Sequence, residues 1–123
     1  MIGYVTLGTN DLDRAARFYD ALLGEIGAKR MMQTERFVMW AVAPGKPALG
    51  VFLPYDGKPA SSGNGTMIAL QVDSPAKVEA LHRKALELGA TDEGPAGSRG
   101  IPGFSAGYFR DLDGNKLNFY CFA

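Results

Sequence analysis

Gly107-Tyr108-Phe109-Arg110-Asp111-Leu112-Asp113-Gly114-Asn115-Lys116-Leu117-Asn118-Phe119-Tyr120 is the stretch whose reading decides how this chain folds. Two runs of alternating character flank Asp113-Gly114, a dipeptide that readily takes the positive φ of a tight hairpin turn. Side chains along a strand point alternately to opposite faces. If Leu117, Phe119 and Cys121 face a covering layer, Asn118, Tyr120 and Phe122 face the other way. An amide therefore stands where the sheet can meet a ligand. A carboxylate there would suggest a metal, and Asn118 does not.

Working back toward the N-terminus, the same kind of unit occurs twice. Residues 2–8 read as a strand, with Asn10 or Asp11 placed to cap a helix over Leu12–Leu23. Ala15, Phe18, Tyr19 and Leu22 recur at helical spacing, and Gly24 and Gly27 can end that helix. Strands are expected over 28–34, 36–43 and 48–53, with a turn at Pro44-Gly45-Lys46-Pro47. Residues 54–65, rich in Pro, Gly and Ser, read as a linker. The pattern then restarts. Met67–Val72 is a strand, and Asp73-Ser74-Pro75 opens a helix with proline in its first turn. Val78, Leu81, Ala85 and Leu88 form its apolar stripe, and Gly89 closes it. Leu7 corresponds to Leu70 and Phe18 to Leu81, each 63 positions on, and Gly27-Ala28 corresponds to Gly89-Ala90. The reading is a single α+β domain over 1–123, with one strand-helix-strand-strand-strand module over about 1–56 and another over about 66–123.

Composition bounds the function. The chain has 123 residues, 46% hydrophobic and 21% charged, enough for a two-layer core. Lys+Arg and Asp+Glu balance at 13 each, with no basic stripe, so neither nucleic acid nor a membrane is an expected partner. No apolar run approaches the roughly 18 residues of a membrane span, and the start lacks the regions of a signal peptide. One cysteine excludes an internal disulfide and fits a cytoplasmic location.

With these residues in place, the chain resembles the vicinal oxygen chelate superfamily, which contains glyoxalase I, bleomycin-resistance proteins and extradiol dioxygenases. The resemblance rests on Tyr4-Val5-Thr6-Leu7-Gly8, Asn10-Asp11-Leu12-Asp13-Arg14, Arg17-Phe18-Tyr19, Val78 through His82, Ala85 through Ala90, Pro102-Gly103-Phe104 and Arg110 through Lys116. It implies two βαβββ modules forming a curved half-barrel sheet, helices on the outer face and ligand on the concave face. The metal positions it implies fall on Tyr4, on Met67, on Asn118, and near Leu49 or Val51. None is a first choice for zinc or iron, which favour imidazole and carboxylate. No metal and no other cofactor are therefore expected. His82, on the second helix, is expected at the surface and away from the concave face.

The candidate ligand-binding residues are Tyr4, Thr6, Trp40, Met67, Gln71, Arg99, Asn118 and Tyr120. Aromatics, a thioether and neutral dipoles together are the usual lining of a small-molecule pocket. Residues 92–105, dense in Gly and Pro, read as a lid carrying Arg99, whose planar fork can hold a carboxylate or phosphate. No serine or Cys121 has a base beside it, and nothing in the sequence brings Glu35 or Asp92 to the ligand. The expected function is binding of a small neutral or partly aromatic molecule in the concave sheet. The alternative is a lactoylglutathione-lyase-like isomerase or lyase with a rearranged or metal-independent site; metal-dependent dioxygenation is disfavoured. The resemblance, and the strand edges an open half-barrel leaves, predict a homodimer.

Overall fold

Both helices begin where the sequence supplies an acceptor for their free amides. In the computed structural model, which describes residues 1–123, Asp11 precedes α1 (Leu12–Gly24) and its carboxylate accepts from the Arg14 backbone N–H. Ser74 does the same for α2 (Pro75–Glu87), accepting from the Lys77 N–H, while Pro75 occupies a first-turn position that needs no amide hydrogen. The ends match as well. Gly27 and Gly89 take φ of 81° and 105°, and the next residues turn back onto the helices, Ala28 N–H to Leu23 C=O and Ala90 N–H to Ala85 C=O. A left-handed glycine lets the last carbonyls find donors. The correspondence of Gly27-Ala28 with Gly89-Ala90 is thus a shared stop signal.

The first sheet contains β1 (Tyr4–Gly8), β2 (Lys29–Gln33), β3 (Phe37–Ala41) and β4 (Ala48–Phe52) in the order β1-β4-β3-β2. The second contains β5 (Ile68–Gln71), β6 (Thr91–Ser98), β7 (Phe104–Arg110) and β8 (Lys116–Phe122) in the order β5-β8-β7-β6. In each, the first strand runs parallel to the last and the other pairs are antiparallel. These are the two βαβββ modules of an α+β fold, and neither sheet closes into a barrel.

The chain divides into compact units at Met1–Ser62 and Gly63–Ala123. The boundary falls inside the expected linker, but residues up to 62 group with the first unit rather than bridging. Ala60 N–H donates to Asn10 Oδ1 at 2.7 Å, and the Ala60 methyl lies against Gly8. The first module therefore extends beyond residue 56.

Alternation puts one face of each sheet against its helix. In the first unit, Leu7, Val38, Trp40, Leu49 and Val51 are buried with Ala15, Phe18, Tyr19 and Leu22 of α1. In the second, Phe109, Leu117, Phe119 and Cys121 are fully buried, as are Val78 and Ala85 of α2. Burial of this many apolar side chains is the main favourable term in either unit.

Three expectations are corrected. Residues 92–105 are not a lid: β6 runs to Ser98, and only 99–103 connect it to β7. β6 is an edge strand with two register shifts, the setting in which a strand tolerates Pro95 and closely spaced glycines. The turn between β7 and β8 is a five-residue loop, in which Gly114 alone has positive φ. The Asp111 carboxylate organises it, accepting from the backbone N–H groups of Asp113 and Asn115 and from Asn115 Nδ2. His82 is not at the surface. It is 6% exposed, with Nε2 3.1 Å from Asp92 Oδ1 and 3.0 Å from the Tyr108 carbonyl. It does lie on the helix-covered side, because Asp92 pairs with Phe109 in the ladder.

Candidate functional site

The face of each sheet that carries no helix is where a ligand can be met. In the first unit Tyr4, Thr6 and Gly8 of β1 occupy that face, paired with Ala48, Gly50 and Phe52 of β4. Met39 and Phe37 continue it across β3. Gly50 matters there: a Cβ on it would fall 2.7 Å from Phe52 Cε1 and 3.0 Å from Met39 Cγ. The missing side chain lets Phe52 lie flat on Phe37, with ring centroids 4.5 Å apart and planes inclined by 11°.

These rings belong to a depression of about 860 Å³ that also takes in Tyr4, Thr6, Glu35, Arg36 and Tyr55. Tyr4 is 63% exposed and Tyr55 fully so. Arg36 does not float: its guanidinium donates to the Leu53 and Pro54 carbonyls, tying the loop before β3 to the end of β4. Glu35 thus does reach the helix-free face, which its place in the sequence did not reveal.

Trp40 does not. It points to the helix, where its Nε1 donates to Asp20 Oδ1 at 2.8 Å and its ring lies 5.6 Å from that of Tyr19. Asp20 also takes two bonds from Arg30, at 2.9 and 2.7 Å. Arg30 first, and Trp40 with it, hold the Asp20 carboxyl below its ordinary range against the opposing effect of burial. Trp40 is a core residue with a satisfied N–H. Leu49 and Val51 likewise face the helix, opposite Val5 and Leu7, so the position sought there belongs to Gly50.

The helix-free face of the second sheet changes character along β8. At one end Phe104, Tyr120 and Phe122 form an aromatic group, with centroids 5.0 to 6.3 Å apart. Gln71 stands exposed opposite Tyr120, and Met67 just precedes β5 with 38% exposure. In the middle Asn118 lies between Ala69 and Tyr108. It is 2% exposed, and its Oδ1 is the one buried side-chain polar atom without a hydrogen-bond partner. A buried orphan acceptor costs about 1–3 kcal/mol, so its persistence invites a donor from outside the chain.

At the other end Arg99 and Lys116 sit over Tyr108, 5.3 and 5.5 Å from its ring centroid. The Arg110 guanidinium beside Glu93 holds that carboxyl below its usual range. Phe37, Phe52, Tyr55, Tyr108 and Lys116 were not anticipated. The parity that placed Tyr4 and Asn118 could have found Phe52 and Lys116, had it been extended along both last strands.

The geometry defines a class: a duplicated βαβββ protein whose helix-free sheet faces carry rings, amides and a few charges. The chain belongs to the Glyoxalase/Bleomycin resistance protein/Dioxygenase superfamily, whose family model matches residues 1–119. It is 33% identical to a glyoxalase/bleomycin resistance protein from Albidiferax ferrireducens T118, with a TM-score of 0.89 and 98% of each chain covered. Lactoylglutathione lyase from Agrobacterium tumefaciens shares the fold at 20% identity and a TM-score of 0.73, over 98% of this chain and 92% of that one. The fosfomycin resistance protein FosX from Listeria monocytogenes does so at 16% identity and 0.75, over 100% and 93%. No curated protein matches the chain. No helix is long and apolar enough to cross a membrane.

The divalent metal implied by this family does not fit the residues present. The matching positions offer a phenol, a thioether and an amide, and nowhere do three His, Cys, Asp or Glu side chains come together. Such donors leave the charge of a hard or borderline cation uncompensated.

Proposed function

We propose that the chain binds a small, largely neutral, partly aromatic molecule on the helix-free faces of its sheets, without a divalent metal. The observation that carries this reading is the stacked Phe37–Phe52 pair in the floor of a depression that Tyr4 and Tyr55 also line. Exposed rings lose water favourably when a flat ligand covers them, at about 25 cal/mol per Å² of apolar surface buried. Thr6 supplies a hydroxyl beside them, and the helix-free face of the second sheet, taken by itself, offers Gln71, Asn118 and Tyr120 as neutral polar groups. We take the working form to be a cytoplasmic homodimer that engages neither nucleic acid nor membrane, consistent with balanced charge.

The test is a thermal-shift and calorimetric screen of neutral planar aromatic compounds against the chain and its Phe37→Ala and Tyr4→Ala variants, with metal content measured on protein purified without chelator. Saturable binding that both variants weaken supports the reading. Stoichiometric zinc, nickel, manganese or iron overturns it.

Glu35 favours a second reading, a glyoxalase-like isomerase or lyase with a metal-independent site, because it brings a carboxylate to the same depression as the rings. A turnover screen with and without divalent ions decides this, with Glu35→Gln as the control that must lose activity.

A further inference from the structure

We propose that the second sheet carries a separate anion site, built from Arg99, Tyr108 and Lys116, that takes the carboxylate or phosphate group of a small organic molecule. The three side chains line a depression of about 500 Å³ together with parts of β6, including Glu93 and Gly94. They come from three places in the chain: the connection just after β6, the middle of β7 and the start of β8. Two cations are thus gathered on one ring, and no carboxylate forms an ion pair with either. Like charges drawn together without a counter-ion repel, and the face of a tyrosine ring offsets this only in part. An anion placed between them removes the repulsion.

The one acid lining the depression is Glu93, and its carboxylate is bonded to Arg110. Glu93 also feels the charge of Lys116, so a single lining carboxylate, already bonded to Arg110, faces three cations and leaves the depression with an excess of positive charge. Arg99 is also pre-positioned. Its guanidinium donates to the carbonyls of Pro95, Gly97 and Ser98, so the edge strand fixes its plane before any ligand arrives. Gly94 makes this possible, because a Cβ there would sit 3.3 Å from both Arg99 Nη2 and Tyr108 Cδ1. Lys116 is the complementary part: a point charge on a flexible four-carbon stem, 5.5 Å from the Tyr108 ring centroid, that can complete the contact. On the same face Asn118 follows Lys116 by two residues, so its orphan Oδ1 can receive a hydroxyl or amide proton from the rest of the same molecule.

This site lies wholly in the second unit and does not rest on the aromatic reading of the first. Backbone amide resonances of the full chain are followed by NMR in low salt during titration with benzoate, with inorganic phosphate, and with benzamide as a neutral control of benzoate's shape. Benzoate or phosphate is expected to shift Gly94, Gly97 and Lys116 saturably, and benzamide is expected to leave them in place. The stronger of the two anions assigns the class. Lys116→Gln is expected to weaken that anion about tenfold, the loss of one charge-assisted contact, with melting temperature unchanged. Arg99→Gln should weaken it further, but Arg99 also braces β6, so Lys116→Gln is the deciding variant. The proposal fails if neither anion moves these amides, if benzamide moves them equally, or if folded Lys116→Gln binds as the parent does.

Discussion

Gly107 lies directly against the His82 ring: a Cβ at position 107 would stand 2.9 Å from His82 Cγ and 3.0 Å from Cβ and Cδ2. A helix side chain is thereby let down onto the strand, close enough for Nε2 to reach both Asp92 and the Tyr108 carbonyl. The contact lies on the opposite side of the sheet from the Tyr108 ring, so it helps fix the backbone that presents that ring. Gly107→Ala should destabilise the protein by about 1–3 kcal/mol, the usual cost of overpacking a full core. Urea unfolding followed by circular dichroism measures it. Adding His82→Ala should recover part of the loss, because the two residues share one space.

Asn118→Leu is expected to raise stability by about 1 kcal/mol, since it replaces a buried unpaired acceptor with an apolar side chain of similar size. The same substitution should weaken any ligand that donates to Asn118. Melting temperature and ligand titration would then move in opposite senses. A fall in melting temperature would show that the amide has a structural partner.

Asp20 has a lowered carboxyl pKa in the folded chain, caused first by Arg30 and assisted by Trp40. A lowered folded value means that the contribution is present above the unfolded value of about 3.9 and is lost as pH falls through the folded one. Asp20 and Arg30 are both more than a third exposed, so the effect is small. Trp40 is the only tryptophan, and its N–H reports on Asp20 directly. Its emission should change in that acid window in the parent and stay flat there in Asp20→Asn.

Trp40→Phe should lower stability by about 1–2 kcal/mol through the lost hydrogen bond and lost contact, yet leave ligand binding unchanged. Calorimetry on both proteins with one ligand checks this. Equal stability with weaker binding would place Trp40 at the site after all.

Gly50→Ala should cost about 1–3 kcal/mol of stability, because a Cβ there meets the Phe52 ring at 2.7 Å and Cγ of the buried Met39 at 3.0 Å, and the Phe52 ring must swing aside. Swinging aside breaks the stack on Phe37. Binding of flat aromatic probes should fall several-fold, about the 0.5–1.5 kcal/mol that aromatic pairs supply beyond their area. A crystal structure of the variant would show whether Phe52 had moved.

The sequence by itself determined the repeat, the helix caps and the parity of the strands. Asp11, Ser74, Gly27 and Gly89 act on neighbours only a few residues away, so their roles are legible locally. The apolar alternation of Leu117, Phe119 and Cys121 likewise needs only the two-residue period of a strand. Tertiary structure decided the rest. Whether His82 was solvated depended on a glycine 25 positions later, and whether Trp40 met a ligand depended on an acceptor at Asp20. Arg99, Tyr108 and Lys116 became one group only when β7 and β8 were laid side by side and the connection after β6 brought Arg99 onto them. Local preference sets the direction of a side chain, whereas its partners come from elsewhere in the chain, and burial and charge balance depend on those partners.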